Sequence, residues 1–554
     1  MTDTKIMTLD EFHALSDEEF AKLLKAAKGQ RGFHRKYGIP RTTVQNRMYR
    51  ARKDPFGHRP PPQPLEIGTN REVIQRFILT SAQDGTLLNE PFLDNLIAYR
   101  DWLRQHGECE LMVAGFTYNK SLFEDHSKKG VVWPSRIAEF MVSDRFTIAG
   151  RVDFCGEMNT LPTAVDPLSG FESYTQGRWG IFPHAKVQLK SIPTMKHAPS
   201  KQIMTTGAIT KPNYVPKKAG LKASFHHEYG AVLVEVDRDG DFFCRHLLGD
   251  AADGSFCDLD RLVMEGEVHE NVPVRALTPG DVHVFQIDPQ VAATTFGIYP
   301  TDERDPNPSI GRVWDVSDKP SMLDELRPEH LLIHDVADFR VRNHHNIGNA
   351  LDRFRLHMAG TDSVEDELRE VGFFLSTVND LFKDMQVTVV ESNHDLAFQK
   401  WITTADYRTD PINARFFLRS VLRIYDAVAN NEANFSIFEE TMRNNYADFS
   451  CAGVRFLRED ESFVIDDVEM ANHGHNGANG SRGNIRQFAK AGPKTTFGHT
   501  HSPAIFDGAY NTGTSTLMDM GYNKGLSSWA HAHCVQYQNG KRTIITLSNG
   551  KYRA

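Results

Sequence analysis

From residue 275 onward the chain repeats one arrangement, an apolar, strand-like run that ends in side chains of metal-ligating type. VRALTPGDVHVFQID carries Asp281 and His283; LLIHDVAD ends on Asp335; QVTVVESNHD delivers Asn393, His394 and Asp395. FVIDDVEMANHGHNG presents His473 and His475, and TFGHTHSP holds His499 and His501. Helix-forming stretches such as SMLDELRPEH and EVGFFLSTVNDLFKDM lie between them. Strands alternating with helices build layered α/β domains, and a sheet gathers the ends of distant strands along one edge. The expected fold of residues 275–554 is therefore a layered α/β domain with these five stretches brought together.

At 554 residues the chain exceeds one core, since a domain takes roughly 100 to 200 residues. Four segments are expected: a small all-α head over residues 1–57, a linker over 58–72 that opens with the proline-rich HRPPPQPLEIG, an α/β domain of unassigned role over 73–274, and the layered domain over 275–554. In the third segment IQRFILTSAQDG reads as strand and turn, PFLDNLIAYRDWLRQHG as a helix closing on glycine, and ELMVAGFTY as a second strand. The pair His226 and His227, in FHHEYG, reads as part of a polar loop. Formal charge is -9, so overall charge does not point to nucleic acid. The six cysteines are widely spaced without a C-x-x-C, the first twenty residues are rich in acids, and no long apolar window occurs. Reduced thiols, no membrane span and a cytoplasmic setting are expected.

One local stretch contradicts the overall charge. RGFHRKYGIPRTTVQNRMYRARK, residues 31–53, holds eight Lys or Arg and no acid. It follows a run with helical apolar spacing, TLDEFHALSDEEFAKLLKAAK, and breaks at Gly38-Ile39-Pro40, giving helix, turn and helix. The pattern resembles a helix-turn-helix, in which Arg41, Thr43, Gln45, Asn46, Arg47 and Arg50 of the second helix would face DNA. A basic hairpin that binds another protein has the same pattern.

The series D-x-H, D, N-H-D, H and H-x-H, in that order between residues 281 and 501, resembles the calcineurin-like metallophosphoesterase superfamily. It departs from that pattern where His334 and Ser392 stand in place of glycine, and in a long stretch, TDERDPNPSIGRVWDVSDKP, that reads as an inserted loop. The resemblance implies a layered β-sandwich flanked by helices and two divalent ions. It places Asp281, His283 and His501 on one ion, Asn393, His473 and His499 on the other, and Asp335 between them. Carboxylate, imidazole and amide oxygens suit Mn²⁺, with Mg²⁺ or Fe²⁺ as alternatives. His394 would protonate the leaving oxygen, with Asp395 orienting its ring. Downstream of Asp335, the stretch HDVADFRVRNHHN offers Asp338, Arg340, Arg342, His344 and His345 either to a substrate phosphate or to surface ion pairs.

Such a centre implies phosphoester hydrolysis, and the basic head points to DNA as substrate. The order of segments resembles the DNA-repair nucleases of the superfamily. In length and in having the catalytic domain last it also resembles the DNA-degrading nucleases of T5-like bacteriophages, which implies action in the host cytoplasm. A homo-oligomer is expected by the same resemblance. The alternatives are a phosphomonoesterase or cyclic-nucleotide phosphodiesterase, and a DNA-binding regulator or scaffold with an inactive domain.

Overall fold

The computed structural model describes residues 6–52, 63–118, 133–304, 312–343, 347–444, 449–521 and 523–554. Two compact units emerge, Met1–Gln63 and Pro64–Ala554. The boundary expected at 274/275 falls inside the second.

The head is all helical: Leu9–Ala14, Asp17–Ala26, Gln30–Tyr37 and Arg41–Arg52. The run with helical apolar spacing over 8–28 forms two helices, because Thr8 and Ser16 each cap a helix and form a capping box with Glu11 and Glu19. Gly38 ends the third helix at φ +75°, in the left-handed region that glycine tolerates. Phe12, Phe20, Phe33, Tyr37, Ile39 and Val44 form the core. Arg41 and Gln45 are exposed and Thr43 half-buried. Arg47, expected to face DNA, turns inward: its guanidinium donates to the carbonyls of Phe12 and Leu15 and lies over the Phe12 and Phe20 rings. The end of a helix leaves carbonyls without partners, and Arg47 satisfies two of them. The side chains of Asn46 and Arg50 lie outside the described part.

The second unit is a mixed α/β body. A six-stranded sheet runs in the order Arg455–Leu457, Gln386–Val390, His330–His334, Ala276–Thr278, Ala532–Gln536, Arg542–Thr546. Its first four strands are mutually parallel and the last two antiparallel. One face packs on the helix Val364–Leu381 through Leu331, Ile333, Val387, Phe374 and Leu375. On the other face Ala532, Cys534 and Ile544 meet Ile505 and Tyr510 of an eleven-stranded sheet.

That larger sheet is what joins the expected third and fourth segments. Leu189–Ile192 pairs antiparallel with Ala504–Phe506, so strands from residues 65–205 continue into Ala509–Asn511, Lys494–Phe497 and Val468–Glu469. The stretch expected as an inserted loop contributes an antiparallel pair, Ile298–Arg304 with Arg312–Val316; residues 305–311 lie outside the described ones. All six cysteines are buried and unpaired. Among the described residues no helix is long and apolar enough to cross a membrane.

A five-stranded sheet, Phe242–Leu248, Gly230–Val236, Gln75–Gln83, Glu108–Phe116, Met141–Val142, backs the helix Glu90–Arg104. A buried ion network pins it. Arg245 donates to Asp258 Oδ1 and Oδ2 at 2.5 and 2.9 Å and to Glu235 Oε2 at 2.5 Å, while Arg76 meets Glu235 Oε1 at 2.8 Å. Burial raises the pKa of Glu235 and Asp258, but the Arg245 guanidinium outweighs it and both stay below the ordinary carboxylate value. Removing one member of a buried pair leaves an uncompensated charge. Arg245→Met is expected to destabilise the body by about 3–5 kcal/mol, read as a lowered urea midpoint; an unchanged midpoint would show that the network contributes no stability.

Candidate metal centre

Parallel strands bring their C-terminal ends to the same edge, and both sheets use this here. In the six-stranded sheet Ala276–Thr278, His330–His334 and Gln386–Val390 run parallel and exit toward Asp281, Asp335 and Asn393. In the other, Val468–Glu469 and Lys494–Phe497 run parallel and exit toward His473 and His499. The loops then zip together: Val282 N donates to His334 O at 3.1 Å, His283 N to Asp335 O at 2.7 Å, and Gly498 N to His473 O at 2.8 Å. Gly498 has to be glycine, because a Cβ there would collide with the Asp281 carboxylate.

Backbone strain concentrates at this edge. His283, Asp335, His499 and His501 all have positive φ, at 42°, 46°, 75° and 57°. Non-glycine residues in that region cost about 1–3 kcal/mol each and persist where the surroundings over-determine them. The left-handed turn is made by Asp335 itself, so His334 occupies the glycine position of the pattern without strain: it ends a strand and is fully buried. Ser392, at the other such position, has its hydroxyl 2.9 Å from Asp395 Oδ2 and accepts from Asp395 N at 3.1 Å.

The donor atoms converge in two groups that share Asp335. One is Asp281, His283, Asp335 and His501; the other is Asp335, His473 and His499, each with donor atoms within 4.8 Å of one another. His501 Nε2 lies 3.2 Å from Asp281 Oδ2 and 3.3 Å from His283 Nε2. His473 Nε2 lies 3.2 Å from Asp335 Oδ2 and 3.2 Å from Asn393 Oδ1. His475 points elsewhere, with Nε2 2.8 Å from Glu459.

His394 stands beside the first group without joining either. Its Nδ1–H donates to the Asp338 carbonyl at 2.8 Å, and its ring meets that of His283 edge-on at 4.6 Å. The expectation that Asp395 orients this ring is corrected. As first residue of the helix Asp395–Thr404, Asp395 turns its carboxylate back to the hydroxyl and N–H of Ser392 and the N–H of Ala337. Asp338 positions His394 and also lies 3.3 Å from His283 Nδ1, while Gln286 donates to it at 2.7 Å.

Arg340 and Arg342 are engaged by carboxylates. Arg340 forks onto Asp352 at 2.6 and 2.7 Å, and Arg342 onto Asp410 at 2.5 and 2.8 Å. Of the two readings of these arginines, the structure places them in ion pairs. His344 and His345 lie outside the described residues. Sequence reasoning missed Trp529, whose ring meets His501 at 4.3 Å, for want of any motif around it. His226 and His227 lie away from the centre; His227 bonds the Tyr214 hydroxyl and the Thr210 carbonyl at 2.8 Å each.

The charge balance shows what the cluster fits. Asp281, Asp335, Asp338 and Asp395 are all buried to 1% exposure or less, yet among the described residues none forms an ion pair with Lys or Arg. Burial pulls the His283 pKa down, but Asp335 and Asp338 outweigh it and hold the imidazole at about 10. Burial raises the Asp395 carboxyl, with Asp335 adding to it, to about 7. His499 is held at about 4 by burial and the neighbouring His473. Asp281 Oδ1, Asp335 Oδ1 and the Nδ1 atoms of His473 and His501 are buried without hydrogen-bond partners. Orphaned carboxylate oxygens facing imidazoles, with no thiolate among them, fit hard to borderline divalent cations.

Layered sheets with such a cluster on one edge define a mixed α/β protein with buried His and Asp groups of a kind that could hold a metal ion. No protein-family model matches the chain, and no solved structure matches it. Protein A1 of Escherichia phage T5 is 36% identical to it over 492 residues, covering 87% of this chain and 83% of the phage protein. The chain belongs to the family of that phage protein.

Ligation needs neutral imidazoles, so metal must displace the proton that His283 carries below pH 10. In the metal-free protein a raised histidine pKa contributes stability below its unfolded value of about 6.5, and that contribution is lost as pH climbs through the folded value. Metal affinity has the opposite trend: Mn²⁺ binding is expected to tighten with rising pH from about 6.5 toward 9 and to release about one proton at pH 7.5. Calorimetry in buffers of different ionisation enthalpy measures this; zero proton release would remove His283 from the ligand set.

Proposed function

We propose that this chain is a metal-dependent deoxyribonuclease that hydrolyses DNA phosphodiester bonds on a calcineurin-like metallophosphoesterase domain with two divalent ions, Mn²⁺ foremost. The observation that carries this reading is the position of Asp335, shared between two donor groups in a site with four buried carboxylates and no ion-paired Lys or Arg among the described residues. Asp281, His283 and His501 would hold one ion and Asn393, His473 and His499 the other, with Asp335 on both. Bound there, the pair supplies Lewis-acid charge and a water of lowered pKa.

The rest of the chemistry belongs to the side chains. His394 commits Nδ1–H to the Asp338 carbonyl, which leaves Nε2 as the atom that delivers a proton to the departing oxygen. Asp395 holds the turn from which Asn393 and His394 project, through Ser392 and Ala337 N. Support for DNA comes from the head, whose exposed Arg41 and Gln45 lie on a helix without an acidic residue. The phage relative supports a phage setting, in which host DNA would be the substrate.

The test is cleavage of linear and covalently closed duplex DNA with Mn²⁺ or chelator. Asp335→Ala is expected to abolish both cleavage and metal binding, and His394→Ala to slow cleavage by about 10²- to 10⁴-fold with metal retained. Equal metal loss in the two variants would refute their separate roles. Hydrolysis of a small diester without cleavage of DNA would keep the centre and refute the substrate.

Deleting residues 1–63 is expected to weaken duplex binding and flatten its salt dependence. Unchanged affinity in an anisotropy titration would take the head out of DNA binding.

A further inference from the structure

A cleft of about 500 Å³ opens beside the candidate metal centre, between the strand Leu189–Ile192 and the loop that follows His473. Its connection to the centre is Thr500, which lies between His499 and His501 and lines the cleft. Ile192, Ile485 and Phe497 give it an apolar floor. Arg482 and Asn511 supply polar groups at its wall.

Asn511, 2% exposed, fixes the wall: its Nδ2 donates to the Thr500 hydroxyl and, at 2.7 Å, to the Ser502 carbonyl. Arg482 is exposed and has no ion-pair partner among the described residues, whereas its basic neighbours Lys190 and Arg486 both pair with Asp166, at 2.9 and 2.5 Å.

The Arg482 backbone is held firmly to the ligand loop. Gly483 N donates to His475 O at 3.1 Å, Gly477 N to Ser481 O at 2.6 Å, and Asn476 bridges to Arg482. A Cβ at Gly483 would collide with the carbonyl of Gly474, the residue after ligand candidate His473. The loop thus fixes the backbone that carries Arg482 against the stretch that follows His473.

We infer that this cleft takes the nucleotide next to the scissile phosphate of a polynucleotide, with its base on the apolar floor and Arg482 binding the adjacent phosphate. Volume fits: pockets for small ligands run from about 300 to 1,000 Å³. Chemistry fits as well, since an arginine fork matches phosphate oxygens and an apolar floor accepts a base. The assignment rests on the phosphodiesterase reading above and adds what distinguishes a polynucleotide from a small diester.

The experiment compares the full chain with Arg482→Ala and Arg482→Lys, using a fluorescein-labelled oligodeoxynucleotide and bis(p-nitrophenyl) phosphate in Mn²⁺. Arg482→Ala is expected to raise the oligonucleotide KM and its Kd by anisotropy about tenfold, with kcat within about threefold, and to reduce the magnitude of the slope of log affinity against log salt by about 1. Arg482→Lys is expected to restore the slope, because it restores the charge. If the full chain cleaves the oligonucleotide and Arg482→Ala leaves KM, Kd and slope unchanged, the cleft assignment is overturned and the nuclease reading stands. If the full chain hydrolyses the small diester but neither binds nor cleaves the oligonucleotide, no nucleotide occupies the cleft. If it hydrolyses neither, the phosphodiesterase reading fails and the cleft assignment with it.

Discussion

The burial of four aspartates beside five histidines and an asparagine, with no ion-paired Lys or Arg among the described residues, is the constraint on which this structure turns. A carboxylate taken out of water costs several kcal/mol unless something compensates its charge. Here neutral hydrogen-bond donors and imidazoles compensate it, and among the described residues only the imidazoles can bring positive charge, which in the metal-free protein puts a proton on His283. Arg245 resolves the same problem in the five-stranded sheet with a permanent cation. The contrast separates a network that only has to be stable from one that must release its protons in exchange for something else.

Much of the centre was legible in the sequence because parallel strands carry few possibilities: each exit lands on the same edge, so a ligand-type residue a few positions past an apolar run is placed by topology. Asp281, Asp335 and His473 are of this kind. Asp338 was visible as a polar residue, but its role was not, since Phe339 beside it takes φ +51° and only the folded turn brings Asp338 to His283 and His394. Arg340 and Arg342 left two readings open for a similar reason. Their carboxylate partners, Asp352 and Asp410, follow from long-range packing that no local pattern encodes.

The middle of the chain was the least legible. Short apolar runs such as Leu189–Ile192 state that a strand forms but not which strand it joins, and pairing with Ala504–Phe506 at the single position Leu189–Ile505 dissolves the expected boundary. In the head the helix order followed from Gly38 and the caps, yet Arg47 was misplaced. A long side chain can turn inward to helix-end carbonyls and aromatic rings as readily as outward, and helical spacing does not distinguish the two.

The merged sheet has a functional consequence. If residues 64–274 formed a separate body, the cleft beside the centre would change shape with every movement between domains. Instead one wall carries Lys190, Ser191 and Ile192 beside Ala504, from hydrogen-bonded neighbours in one sheet, and Ser191 donates across them to the Pro503 carbonyl at 2.7 Å. The strained residues of the centre sit on the same framework: Gly498, which carries the chain into His499, is pressed against Asp281 on one side and bonded to His473 on the other. Rigidity of this kind offsets left-handed backbone at four donor positions and keeps the donor atoms converged before any ion arrives. The part of the chain without an assigned role in the sequence is therefore the part that gives the centre its fixed wall.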